Sequence, residues 1–121
     1  MAKNLEGSFL LDFYGSLLGE KQRRLFDLYY NDDLSLAEIA DLEGMTRQGV
    51  RDAVKRAETQ LFDLEERLGL ARRFRQVRTG LKEIRECVSK LEASSADSDP
   101  ETKETIRRLR EIVAELEEAE L

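Results

Sequence analysis

The chain has 121 residues, a net charge of −6, one cysteine, one proline and no histidine. Those counts exclude an internal disulfide, histidine-based acid–base or nucleophilic catalysis, and zinc sites built on His or Cys. The length suits one domain, or a small domain with an appendage, and no apolar run reaches the roughly 18 residues of a membrane span.

Charge is unevenly placed. Residues 1–80 carry 13 Lys/Arg and 14 Asp/Glu, residues 81–121 carry 7 and 12, and residues 46–78 carry nine basic and five acidic side chains, a local +4. An acidic protein binds nucleic acid poorly without such a local basic stripe, because the phosphate contribution is electrostatic. The start, "MAKNLEGSFLLDFYGSLL", lacks the basic segment and cleavage site of a secretory signal. With a single cysteine, this fits a cytoplasmic location. None of the seven glycines precedes Lys-Ser or Lys-Thr, so no phosphate-cradling loop is present. The chain therefore reads as no enzyme, with no cofactor and no metal.

Periodicity is helical almost throughout, giving an all-α fold. The first helix is expected over Leu5 to Leu18, with Asn4 as a cap and Phe9, Leu10, Phe13, Leu17 and Leu18 as its apolar stripe. Gly19 ends it. A second helix runs from Glu20 to Tyr30 and buries Leu25, Phe26, Leu28 and Tyr29; "NDD" at 31–33 is a turn. Ser35 opens a short helix, and Glu38 three residues on completes a capping box, with Leu34 and Ile39 as a hydrophobic staple. Gly44 supplies a turn that needs positive φ, and Thr46 caps the next helix. That helix, to Leu68, places Val50, Ala53, Val54, Ala57, Leu61, Leu64 and Leu68 on one face. Gly69 is a C-cap or a kink.

A further amphipathic helix, about Leu70 to Ala93, carries Phe74, Val77, Leu81, Ile84, Val88 and Leu91, with Cys87 beside the stripe as a small core residue. "SSADSDP" at 94–100 is a flexible linker. The last helix presents Ile106, Leu109, Ile112, Val113 and Leu116, and its acidic end "AELEEAEL" is expected to fray. Residues 1–70 thus form one domain and 71–121 a C-terminal helical extension. Its two apolar stripes must be covered, by a hairpin packed on the first domain or by a homodimer, which is the expected assembly. The arginines of "ARRFRQVR", 71–78, suit either an RNA backbone or the acidic last helix.

The run "SLAEIADLEGMTRQGVRDAVKRAE", 35–58, has the spacing of a helix-turn-helix: cap, small Ala40 at the helix crossing, glycine corner, second cap. A wheel of the second helix turns Gln48, Asp52, Lys55 and Thr59 away from the core, with Arg47, Arg51 and Arg56 beside them. Arg and Gln in the first turns suit base edges; Thr46, Lys55 and Arg56 suit phosphates. Asp52 is the discordant residue, unless it accepts from cytosine or orients an arginine. The alternative is a solvated face carrying an Asp52–Arg56 i,i+4 pair.

Residues 10–70 closely resemble the YlxM family of helix-turn-helix proteins, bacterial proteins linked to the signal recognition particle. The resemblance rests on "FYGSLL", "KQ" at 21–22, "DDLSLAEIA", "TRQGVRDAVKR" and the closing "LGL". The corner also resembles, more loosely, region 4 of sigma factors. The resemblance implies an all-helical bundle with no catalytic residue. It also implies recognition positions at Thr46, Arg47, Gln48, Arg51, Asp52, Lys55 and Arg56, and partners among DNA, the particle's RNA or its protein. Two positions depart from the family pattern. Gly19 replaces a Thr or Ser cap, and "DLEG" puts Glu43 beside the turn.

Overall fold

The computed structural model describes Lys3 and residues 5–119. The described residues form six α-helices: α1 (Glu6–Tyr14), α2 (Glu20–Tyr30), α3 (Leu36–Glu43), α4 (Arg47–Leu68), α5 (Leu70–Ser94) and α6 (Pro100–Glu118). The described residues contain no strand. They divide into two compact units, residues 1–71 and 72–121.

In the first unit α4 is the central rod, packed by α1, α2 and α3. Its Val50, Ala53, Val54, Ala57 and Leu61 are buried. Small residues at 53 and 57 let neighbouring helices approach, while Val and Leu fill the space between them. Leu10, Leu11 and Tyr14 of α1 and Leu25, Phe26 and Tyr29 of α2 complete the core, with Ile39 and Ala40 from α3. Leu34 also packs against this core, as the staple requires. Leu68, expected on the same face of α4, is 52% exposed.

The first helix is shorter than its apolar pattern suggests. It stops at Tyr14, continues as one 3-10 turn over Gly15–Leu17, and Leu18 is extended. A Cβ at Gly15 would stand 3.1 Å from Leu11 Cδ1 and 3.3 Å from Arg23 Nε, so the chain passes closely here. Leu17 consequently points to solvent, and Leu11 and Tyr14 take core places instead. Gly19 starts α2 rather than ending α1: its backbone is extended and no side chain caps it. The helix-capping role expected of Asn4 lies outside the described residues; Leu5 occupies the N-cap without a side-chain bond.

The second unit is an antiparallel hairpin of α5 and α6. Arg85 bonds Glu117, and Arg110 bonds Glu92 and Ser89, so the pairs run in opposite directions along the two helices. Residues 95–99 connect them through a turn in which Ser98 N donates to Ser95 O at 2.9 Å. Asp99 then caps α6 by accepting from Thr102 N at 2.7 Å, with Pro100 at the first helical position. Leu81, Val88, Ile106 and Val113 are buried, but Ile84, Leu91, Leu109, Ile112 and Leu116 are exposed. Cys87, expected in the core, is exposed as well. It lies on the side of α5 turned away from the seam with α6. Helix α6 remains regular to Glu118, and residues 120–121 lie outside the description.

Candidate nucleic-acid interface

The corner between α3 and α4 is fixed by local bonds. Glu38 N donates to Ser35 Oγ at 3.0 Å, and Ser35 N donates to Glu38 Oε1 at 3.1 Å, closing the capping box. Gly44 stands in the left-handed region at φ 65, ψ 36, and the Gly44 and Met45 amides both bond the Ala40 carbonyl. Two residues later Thr46 Oγ1 accepts from Gly49 N at 2.9 Å and starts α4. A Cβ at Gly49 would sit 3.0 Å from that hydroxyl, so a side chain there crowds the cap.

Glu43, beside the turn, is held by Arg24 of α2. That ion pair raises the Arg24 pKa through the hydrogen bond to Glu43. It places a cation against the one carboxylate next to the corner.

Thr46, Arg47, Gln48, Arg51, Asp52, Lys55 and Arg56 are all exposed along the first three turns of α4. The helix turns them outward because every residue between them that is apolar is in the core. Gln48 Nε2 donates to Asp52 Oδ1 at 2.9 Å. Asp52 is therefore engaged by an amide and not by Arg56; among the described residues the i,i+4 ion pair is not formed. The carboxylate that most disfavours phosphate is thus satisfied locally, and the four cations at 47, 51, 55 and 56 remain directed to solvent. Further along, Tyr30 Oη donates to Glu58 Oε2 at 2.6 Å, which draws that carboxylate toward α2.

One flank of this face opens into a shallow groove of about 920 Å³ between the start of α2 and α4. Leu25, Met45 and Ala53 contribute to its floor; Lys21, Gln22, Arg56 and Gln60 stand around it. Lys21 and Gln22 are polar donors that the wheel of α4 could not assign, because their nearness to Arg56 arises only when α2 packs across α4. Their sole sequence signal is the "KQ" pair itself.

Among the described residues no group of three or more His, Cys, Asp or Glu side chains could hold a metal ion, and no helix is long and apolar enough to cross a membrane.

Residues 1–100 match the family described as "Putative helix-turn-helix protein, YlxM / p13 like". A UPF0122 protein of Thermoanaerobacter sp. (strain X514) is 40% identical over 114 residues, covering 94% of this chain and 93% of its own. One from Acetivibrio thermocellus is 39% identical over 119 residues, covering 98% of this chain and all of its own. A third, from Desulforamulus reducens, is 49% identical over 77 residues, covering 64% of this chain and 66% of its own.

Proposed function

The chain belongs to the YlxM/p13-like helix-turn-helix family, and on that premise we propose that it is a non-enzymatic, cytoplasmic nucleic-acid-binding regulator. It acts through the exposed face of α4. The observation that carries this reading is the pairing of a fully capped corner with four outward cations, beside a single carboxylate already bonded to Gln48. Arg47, Gln48 and Arg51 then face base edges, Lys55 and Arg56 face phosphates, and the Thr46 hydroxyl stays with the helix cap. Lys21 and Gln22 extend the phosphate-facing rim.

The ligand is DNA or the RNA of the signal recognition particle; the sequence resemblance to a family linked to that particle supports the second. As a homodimer, the protein presents two such corners to a two-fold related site. Crosslinking in cells with identification of both RNA and protein tests the reading: peptides of α4 joined to nucleotides support it.

A second reading is a protein adaptor that docks the particle's GTPase without touching nucleic acid. The net charge of −6 favours it. Partner capture that survives nuclease treatment, with no nucleotide crosslink to α4, decides for the adaptor.

A further inference from the structure

The hairpin of α5 and α6 carries a face that its own two helices leave open. Its seam is formed by Leu81 and Val88 with Ile106 and Val113, all buried. One border of the seam is closed by the Arg85–Glu117 and Glu92–Arg110 ion pairs. The opposite border of α5 presents Val77, Gly80, Ile84, Cys87, Leu91 and Ser94, none of them charged in a chain that is 38% charged. Leu109, Ile112 and Leu116 continue that side on α6. The six large apolar residues of this face are between 37% and 51% exposed. A Cβ at Gly80 would meet nothing within 4 Å. Packing inside the chain therefore does not require glycine in the middle of this helix, where it is a poor helix former.

We propose that this face joins two copies of the chain, α5 against α5, antiparallel about a two-fold axis through Cys87. The inference rests on the homodimer reading above and is independent of nucleic-acid binding. Self-complementarity is what a two-fold interface demands, and the face has it. Gly80 and Ser94 lie seven residues to either side of Cys87. Ile84 and Leu91 flank it on the border nearer α6, and Glu83 and Lys90 flank it on the outer border. Antiparallel pairing about Cys87 brings Ile84 beside the partner's Leu91 and Glu83 beside the partner's Lys90, each twice. The apolar pairs are covered, and the outer border is closed by opposite charges, as the Arg85 and Glu92 pairs close the inner hairpin. The stretch from Val77 to Ser94 is about 26 Å long and, at the roughly 10 Å width of one helix, offers about 260 Å² per copy. The total of about 500 Å² lies below that of a stable specific interface, so the pairing is weak and reversible.

Sedimentation equilibrium of the full chain, from about 1 to 100 μM, follows such a pairing. The mass should rise from that of one chain to that of two. A short bismaleimide should join the copies through Cys87, the only cysteine. Glu83→Lys or Lys90→Glu alone should weaken the dimer about 5- to 20-fold, since each acts twice, and the double exchange should restore it. These are exposed positions, so the helices survive the change. A chain that stays monomeric throughout the range overturns both the interface and the homodimer reading. A dimer that ignores Ile84→Glu, or that forms without Cys87 capture, overturns the interface alone. A dimer that behaves as expected while α4 binds no nucleic acid supports the interface and counts only against the nucleic-acid reading.

Discussion

Tyr14 and Glu65, 51 residues apart in the chain, meet at 2.7 Å and together cap the start of α5. Tyr14 Oη donates to Glu65 Oε1 and accepts from Leu70 N at 3.0 Å; Glu65 Oε1 also accepts from Ala71 N at 3.0 Å. Gly69, in the left-handed region, turns the chain so that these two amides face back toward α4. A helix beginning one residue after another ends has no room for its own capping side chain, and α1 supplies the cap instead.

Tyr14→Phe keeps the ring, which is 1% exposed, and removes the cap. The loss should be about 1–2 kcal/mol, a hydrogen bond to a charged partner in a part-buried place. Burial and the Glu65 carboxylate push the Tyr14 pKa above its usual value. The folded chain therefore holds the phenolic proton more tightly than the unfolded one, and stability should fall as pH rises above about 10. Thermal melts at neutral and alkaline pH check both parts. The variant should melt lower at neutral pH and show less of the alkaline loss. Equal melts for the two proteins remove the clamp.

At the corner, Ser35→Ala should cost about 1 kcal/mol through the lost capping box. Gly44→Ala should cost about 1–2 kcal/mol, because its φ of +65 is strained for any Cβ even though open space surrounds it. Chemical denaturation measures both. A neutral Gly44→Ala would mean the turn relaxes to another geometry.

The corner is legible in the sequence because its determinants are local. Ser35, Glu38, Gly44 and Thr46 each act within a few residues, and capping chemistry leaves few other readings. The break after Tyr14 is not, since it goes with the close approach of Gly15 to Arg23 of the next helix, which spacing within α1 does not show. Nor is the side of Cys87: an apolar stripe wider than one contact shows that a helix is amphipathic, but which half is covered depends on where the partner helix crosses. The outward set on α4 follows from periodicity alone, whereas the Gln48–Asp52 bond reflects a choice among side-chain rotamers that spacing does not dictate.

Within the hairpin, hydrogen bonds from Arg110 and Arg107 hold the Glu92 and Glu104 pKa values low, and the Thr102 amide does the same for Asp99. Lowered carboxylate pKa values contribute stability that is present above the unfolded values, about 4, and lost as pH falls through the folded ones. Helicity followed by circular dichroism should decline below about pH 4, and Asp99→Ala should shift that decline to higher pH. Helicity unchanged down to the lowest pH would contradict these pairings.

Arg24 neutralises Glu43 beside the turn. Arg24→Ala leaves that carboxylate uncompensated near the α4 face and should weaken nucleic-acid binding without unfolding the chain; Arg24→Ala with Glu43→Gln should recover part of the loss. Fluorescence anisotropy at fixed salt reads both. Equal affinity for all three proteins would place Glu43 outside the ligand's field.

The central claim is that the face of α4 binds nucleic acid, and the most direct test is the salt dependence of that binding. Titrations of a duplex and of the particle's RNA, repeated across salt concentrations, should give a log–log slope near −2 to −3 if the three phosphate-facing cations Lys21, Lys55 and Arg56 meet phosphates. Arg51→Glu with Lys55→Glu should abolish binding, and Lys55→Ala alone should flatten the slope by about 1. Asp52→Asn should strengthen binding. No binding to either ligand at low salt, or binding that ignores the reversal at 51 and 55, contradicts the claim.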